Sequence, residues 1–173
     1  LPRMIAHGEP GHVVNTSSMA GLGAAVGNTV YSTSKFAVVG LSEGLRKELA
    51  PQGIGVTVLC PAAVKTNFNR NARNRPEKFG QTGTELSDEW YDLVEKSFEG
   101  GTDPREMGDM TVAAIKTNSP YVLPHSEFRD GYKAKIEEMM SYWNPAPPDL
   151  KRLEGNKYRQ QAFSRMTGSA KKV

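Results

Sequence analysis

Short apolar runs along the chain have the length and composition of buried β-strands. Residues 11–15 and 56–60 are each rich in valine and are bounded by glycine, proline or hydroxyl side chains. Residues 121–123 form a third run, which Pro124 ends. Apolar runs this short, without strict alternation, are typical of parallel strands covered on both faces.

Longer segments between and after these runs show helical spacing. Residues 28–50 repeat apolar positions at intervals of three and four and end before Pro51 and Gly53. Residues 103–118 open with an aspartate, a proline and a capping-box glutamate, which is a helix-start pattern. Residues 126–143 present one apolar stripe. Strands and helices in alternation predict an α/β fold built on a parallel sheet.

Two segments follow neither pattern. Residues 65–101 are polar and irregular, with a weak helical tendency around residues 88–98. An insertion of this length in a compact domain is usually a functional loop, so we expect a substrate loop or lid. Residues 145–173 begin with a proline cluster and hold seven Lys or Arg against two Asp or Glu. We therefore expect a domain over residues 1–144 and a basic, flexible tail over residues 145–173.

Composition narrows the functional classes. The 173 residues contain 22 Lys or Arg and 19 Asp or Glu, and the excess positive charge lies in the tail, so we expect no nucleic-acid partner. No apolar run approaches the roughly 20 residues of a membrane span, so we expect no membrane partner. The single Cys60 is typical of a core residue in a reducing, cytoplasmic compartment. The three histidines lack ligand spacing, and we expect no metal site.

Tyr31 and Lys35 are the first candidate reactive pair. Their spacing of four residues places both on one face of the predicted helix. An ammonium close to a phenol favours the phenolate, which makes a tyrosine a usable general acid/base. About 0.4 such pairs are expected by chance in a chain of this composition, so the pair alone also fits a half-buried tyrosine beside a surface lysine.

Polar residues at the ends of two predicted strands strengthen the catalytic interpretation. Ser18 follows the first strand and residues 61–66 follow the second. Open α/β sheets bind their ligands at the carboxyl ends of the strands, where both segments lie. A hydroxyl of Ser18 and the phenol of Tyr31 can then meet at the same substrate oxygen.

Three motifs together resemble the short-chain dehydrogenase/reductase family. They are residues 15–21 (Asn-Thr-Ser-Ser-Met-Ala-Gly), Tyr31-x-x-x-Lys35, and residues 61–66 with Pro61, Val64 and Thr66. Their order and spacing match the family over roughly residues 1–125. The resemblance implies a Rossmann-like, doubly wound parallel sheet and an NAD(P)-dependent oxidoreductase acting on a secondary alcohol or ketone.

The resemblance also implies residue roles. Tyr31 would exchange a proton with the substrate oxygen, Lys35 would assist it and bind the nicotinamide ribose, and Ser18 would hold and polarise that oxygen. The cofactor, NAD or NADP, would be bound by Thr16, Ser17, Tyr31, Lys35, Pro61, Ala62, Val64 and Thr66.

The chain departs from the family pattern in two ways. Ala62 stands where family members usually have glycine. The glycine-rich turn that cradles the pyrophosphate, the residue that selects NAD or NADP, and the catalytic asparagine have no counterpart here. We therefore expect this chain to be the C-terminal part of such an enzyme, with the N-terminal nucleotide-binding half absent. The alternative is a catalytically silent fragment that retains only association surfaces.

Further features of the sequence bear on the substrate class and on the oligomeric state. Residues 74–80, 106–110 and 121–129 resemble bacterial Cα-dehydrogenases, which oxidise benzylic alcohols of lignin-derived aryl ethers with NAD. The resemblance also implies a homodimer or homotetramer formed through the Tyr31 helix. A group of loop cations could contact cofactor phosphates or could simply face solvent, namely Arg70, Arg73, Arg75 and Lys78.

Overall fold

A parallel sheet forms the centre of the molecule. The computed structural model describes residues 1–68, 76–80 and 87–169, with side chains as far as residue 165. Its strands are β1 (Gly11–Thr16), β2 (Ile54–Leu59) and β3 (Tyr121–Val122), in the order β1-β2-β3 with every pairing parallel. The predicted α/β fold with a parallel sheet is confirmed.

The register brings all three carboxyl ends to one edge. Thr16 pairs with Leu59, and Leu59 pairs with Val122. The segments that follow the strands therefore meet above that edge, as the topology of parallel sheets requires.

Six helices accompany the sheet within the described residues. They are α1 (Pro2–His7), α2 (Thr29–Leu49), α3 (Asp88–Glu99), α4 (Pro104–Thr117), α5 (Arg129–Ser141) and α6 (Leu150–Ser169). Within these ranges no helix combines the length and the apolar character needed to cross a bilayer.

The core lies between α2 and the central strand β2. Ile54, Val56 and Val58 are at most 2% exposed. Val39 of α2 packs in one apolar cluster with Val58, and Leu49 packs in another with Ile54 and Val56. Burial along nearly all of β2 explains its continuous apolar run.

Local signals set the helix ends as predicted. α2 ends at Leu49, and Gly53 then adopts a left-handed φ of 72° that favours glycine. At α4, the Asp103 carboxylate accepts a hydrogen bond from the Arg105 amide at 2.7 Å and Pro104 takes the first helical position. α5 begins at Arg129, after a 3₁₀ turn at Ser126–Phe128, slightly later than predicted.

The long insertion is fastened at both ends. Val64 and Thr102 form a parallel β-bridge, the Thr102 amide donates to the Ala63 carbonyl at 3.0 Å, and the Lys65 amide donates to the Thr102 carbonyl at 2.9 Å. Between these points α3 confirms the weak helical tendency, with the Ser87 hydroxyl accepting from the Trp90 amide at 3.3 Å. Arg70, Arg73 and Arg75 lie outside the described residues.

The tail contains a helix that the apolar pattern of the sequence did not indicate. Leu150–Ser169 is helical, and the Arg152 amide donates to the Asp149 carboxylate at 3.0 Å at its start. Every side chain described between residues 150 and 165 is exposed. Because no face is buried there, the helix has no apolar stripe from which it could be predicted. The flexibility of the tail stays a prediction.

Candidate active site

Tyr31 and Lys35 lie one turn apart near the start of α2. The Lys35 Nζ lies 5.5 Å from the centroid of the Tyr31 ring and donates a hydrogen bond to the Thr16 carbonyl at 3.2 Å. Lys35 therefore joins the first turns of α2 to the end of β1. No hydrogen bond joins the Tyr31 hydroxyl to another residue in the ranges that the structure describes, which leaves its proton available to a ligand.

Two serines after β1 have different surroundings. The Ser17 side chain is 2% exposed, and its hydroxyl donates to the Lys35 carbonyl at 2.8 Å. The Ser18 hydroxyl is half-buried, accepts from the Ala20 amide at 3.1 Å and donates to the Pro61 carbonyl at 3.3 Å. Ser17 thus ties β1 to α2. Ser18 bridges β1 to the loop after β2 by a long bond.

Gly21 permits the close approach of this turn to α2. A Cβ at Gly21 would lie 2.4 Å from the Ser17 Oγ and 2.7 Å from the Lys35 carbonyl oxygen. Both distances are too short for a real carbon contact. The close approach of the turn after β1 to the Lys35 turn of α2 therefore depends on glycine at this position.

Residues 61–66 form a loop above the carboxyl edge. The Pro61 carbonyl accepts from the Met19 amide at 2.9 Å, which joins this loop to the turn after β1. Val64 is held by its bridge to Thr102, whereas Thr66 is exposed and its hydroxyl accepts from the Phe68 amide at 3.3 Å. Hydrogen bonds thus join Thr16 and Ser17 to Lys35, and Ser18 to Pro61. The roles of these residues stay predictions.

Two features of the site have no motif in the sequence. The Phe68 ring centroid lies 6.1 Å from that of Tyr31 and 6.2 Å from that of Phe98 on α3. His125 follows β3, is 8% exposed and hydrogen-bonds the loop after β2. The position of His125 at the carboxyl end of a strand is the signal that could have identified it, whereas Phe68 carried no such signal.

Two ionisable groups near the site are unsuited to proton transfer at neutral pH. Burial raises the pKa of the Cys60 thiol, against the opposing effects of hydrogen bonds from Ser17 and Ser18 and of the Lys35 charge. Burial and a hydrogen bond to Glu43 raise the pKa of Tyr121 to about 12. Cys60 is fully buried in the apolar core, as its interpretation as a core residue predicts.

Lys78 is the described member of the loop cation group. It is exposed, and its Nζ lies 4.9 Å from the centroid of the neighbouring Phe79 ring. Its role toward cofactor phosphates stays a prediction.

Comparison with known proteins agrees with this geometry. Residues 1–77 match the family model described as short chain dehydrogenase. A Cα-dehydrogenase of Sphingobium sp. strain SYK-6 is 33% identical over 164 residues, which cover 94% of this chain and 52% of that protein. The chain belongs to the short-chain dehydrogenase family.

Solved structures show the same relationship. A short-chain dehydrogenase/reductase from Burkholderia phymatum in complex with NAD superposes with a TM-score of 0.73 and 28% identity, covering 86% of this chain and 54% of that one. The apo form of LigO from Sphingobium sp. strain SYK-6 gives a TM-score of 0.60 and 30% identity, covering 92% and 51%. The chain spans about half the length of these proteins.

Proposed function

We propose that this chain supplies the acid/base side of an NAD- or NADP-dependent dehydrogenase site for a secondary alcohol or ketone. The observation that carries the proposal is the arrangement of Tyr31 and Lys35 on one face of α2, with the Lys35 ammonium fastened to the end of β1. The family membership and the dehydrogenase name of the Sphingobium relative support it.

In this proposal Tyr31 moves the proton at the substrate oxygen. During oxidation the phenolate takes the proton of the carbinol, and during reduction the phenol returns it. The Ser18 hydroxyl turns from the Pro61 carbonyl to the same oxygen and holds it. The Lys35 ammonium stabilises the phenolate by its positive charge.

The donor set at the carboxyl edge fits a nicotinamide nucleotide. An ammonium has three N–H donors, and the bond to the Thr16 carbonyl uses one, so Lys35 retains two for ribose hydroxyls. We propose that Val64 and Thr66 meet the carboxamide, and that Thr16, Ser17, Pro61 and Ala62 line the cofactor. When bound, NAD or NADP supplies the hydride acceptor or donor. The NAD in the Burkholderia structure supports this assignment.

The aromatic rings beside Tyr31 support a bulky, aryl-substituted substrate. Phe68 and Phe98 stack with ring planes 29° apart and continue from the Tyr31 ring into α3. Aromatic side chains contribute large apolar contact and favour stacked or edge-on rings. The Cα-dehydrogenase name of the Sphingobium relative fits the same substrate class.

We also propose that α2 mediates association into a homodimer or homotetramer. Val30 and Leu41 are 85% and 56% exposed, and the small residues Ala37, Gly40 and Gly44 lie on the same helix. Apolar side chains beside small residues on one helix provide a surface on which a second copy can pack closely.

Replacement of Tyr31 by phenylalanine tests the proposal. In the protein produced from its own gene, we expect Tyr31→Phe to lower kcat/KM for an aryl secondary alcohol by about 100-fold or more, because general acid/base catalysis is lost. NADH absorbance measures the rate, and NADH fluorescence measures binding. Tyr142→Phe is the matched control, since that side chain is 80% exposed.

Near-normal turnover by Tyr31→Phe would remove Tyr31 from the mechanism. A wild-type protein that neither binds NADH nor reduces NAD would instead favour the silent, association-only alternative.

A further inference from the structure

His125 is a buried polar side chain with three partners, in the loop after β2 and at the end of the long insertion. The Ala62 amide donates to its Nδ1 at 3.1 Å. Its Nε2 lies 3.1 Å from the Ala63 carbonyl oxygen and 3.1 Å from the Thr102 hydroxyl. One imidazole therefore contacts the Pro61–Ala62 and Ala63–Val64 peptide groups of the loop after β2 and one end of the long insertion.

These partners define the protonation state of the ring. A backbone N–H can only donate, so the Nδ1 that faces Ala62 has no proton. A carbonyl oxygen can only accept, so the Nε2 that faces Ala63 has the proton. The site accommodates the neutral Nε2–H tautomer, since a proton on Nδ1 would point at the Ala62 N–H.

The loop is thereby held from two sides. On the β1 side the Pro61 carbonyl accepts from the Met19 amide and the Ser18 hydroxyl. On the β3 side His125 contacts the amide of that same peptide group, at Ala62, and the carbonyl of Ala63. Val64 follows directly, fixed by its bridge to Thr102. The imidazole sets the direction in which the loop leaves β2.

We propose that His125 is a positioning residue for the cofactor-binding loop. Its neutral imidazole fixes the Ala62 amide and the Ala63 carbonyl, and through them places Val64 and Thr66 toward the nicotinamide carboxamide. This inference rests on the proposed function for the identity of the ligand. It assigns His125 to cofactor affinity and leaves the proton chemistry to Tyr31.

Substitutions at position 125 that keep one polar atom, or only the volume, distinguish the positioning of the loop from the filling of space. Asparagine offers an acceptor close to the Nδ1 position, whereas glutamine places its amide near Nε2. Phenylalanine fills the space and removes both polar atoms. The Ala63 carbonyl also accepts from the Thr102 amide, so it keeps a donor when Nε2 is lost. The Ala62 N–H loses its acceptor when Nδ1 is lost, so we expect asparagine to rescue the function and glutamine not to.

The test uses the protein produced from its own gene. We expect His125→Phe and His125→Gln to raise the KM for NAD or NADP about tenfold or more while kcat at saturating cofactor changes less than about threefold. We expect His125→Asn to return KM to within about threefold of wild type. His12→Gln is the control, because His12 bonds Thr57 within the sheet, away from the loop after β2.

Two results would overturn the inference. One is an unchanged cofactor KM in His125→Phe. The other is an equal rise of KM in His12→Gln and His125→Phe, which would mean that the loss follows stability alone.

A measurement without turnover separates this inference from the proposed function. Nitrogen-15 NMR of the ligand-free protein should show an unprotonated Nδ1 on His125 and a coupling across the hydrogen bond from the Ala62 amide. An enzyme that is active but has a protonated Nδ1 would refute the positioning role alone. A protein with the expected ring signals and no dehydrogenase activity would refute the proposed function alone.

Discussion

The two ends of the parallel sheet use buried polar groups for different purposes. Toward the amino ends of the strands, the His12 Nε2 lies 2.7 Å from the Thr57 hydroxyl, which donates to the Ser119 carbonyl at 2.6 Å. At the carboxyl ends, Ser17 and His125 bond backbone groups of loops and helix rather than neighbouring strands.

The two networks therefore have different consequences: one affects stability alone, and the other also affects the reaction. The network toward the amino ends links β1 and β2 to the segment before β3, so its loss should change the free energy of unfolding. The network at the carboxyl ends holds Lys35 and the loop after β2, so its loss should also change kcat/KM. The predictions below test this difference.

On the amino-end side, the largest expected loss of stability comes from replacing Arg46. Its guanidinium donates to the Val56 carbonyl at 2.7 Å, to the Asn118 side-chain oxygen at 2.9 Å and to the Asn118 carbonyl at 2.6 Å. Because three bonds from a charged donor are lost, we expect Arg46→Met to lower the free energy of unfolding by about 3 kcal/mol. Urea unfolding followed by circular dichroism measures this change.

Lys47→Met, at an exposed neighbour on α2, is the matched control and should be nearly neutral. The KM for cofactor should stay at its wild-type value in both variants. A changed KM for cofactor in a folded Arg46→Met variant would show that the amino-end network does not affect stability alone.

On the carboxyl-end side, replacing Gly21 should give an intermediate loss of stability together with a lower kcat/KM. Alanine there would press against the Ser17 hydroxyl and the Lys35 carbonyl, so we expect Gly21→Ala to cost about 2 kcal/mol of stability. It should also lower kcat/KM, because the turn after β1 and the Lys35 turn of α2 move apart. Gly23→Ala is the control, since a Cβ there meets no atom within 4 Å. If Gly21→Ala and Gly23→Ala had the same free energy of unfolding and the same kcat/KM, the turn after β1 would not depend on close packing at Gly21.

His12 gives the smallest effect, a dependence of stability on pH. Burial, and then the Arg46 charge, lower its pKa below the ordinary value of 6.5. The unfolded chain therefore binds more protons than the folded chain as pH falls through 6.5. The free energy of unfolding should decrease over that range and level off below the folded pKa.

Urea unfolding at a series of pH values, for wild type and for His12→Gln, measures this contribution. The variant should lack that part of the slope. Identical slopes in the two proteins would show that His12 is not the group responsible.

The sequence predicted those parts of the molecule that depend on neighbouring residues. The strands β1 and β2, the helix α2 and the cap at Asp103 follow from local apolar patterns and turn chemistry. Tyr31 and Lys35 share a helix turn, so their spacing alone places them together.

The remaining features depend on tertiary contacts or on the absence of packing. His125 reaches Ala62 across 63 positions of sequence, and no local pattern encodes that contact. Phe68 meets Tyr31 only because the loop after β2 passes over α2. The exposed helix α6 follows from intrinsic propensity and the Asp149 cap. Neither feature produces an apolar stripe in the sequence.

The bridge between Val64 and Thr102 also has a consequence for how this site can evolve. With the two ends of the insertion joined, its interior behaves as a closed loop whose entropic cost rises only with the logarithm of its length. Doubling such a loop costs only about 0.6 kcal/mol. Insertions and deletions inside it are therefore thermodynamically inexpensive, and new contacts can be acquired there while the sheet, Tyr31 and Lys35 stay unchanged.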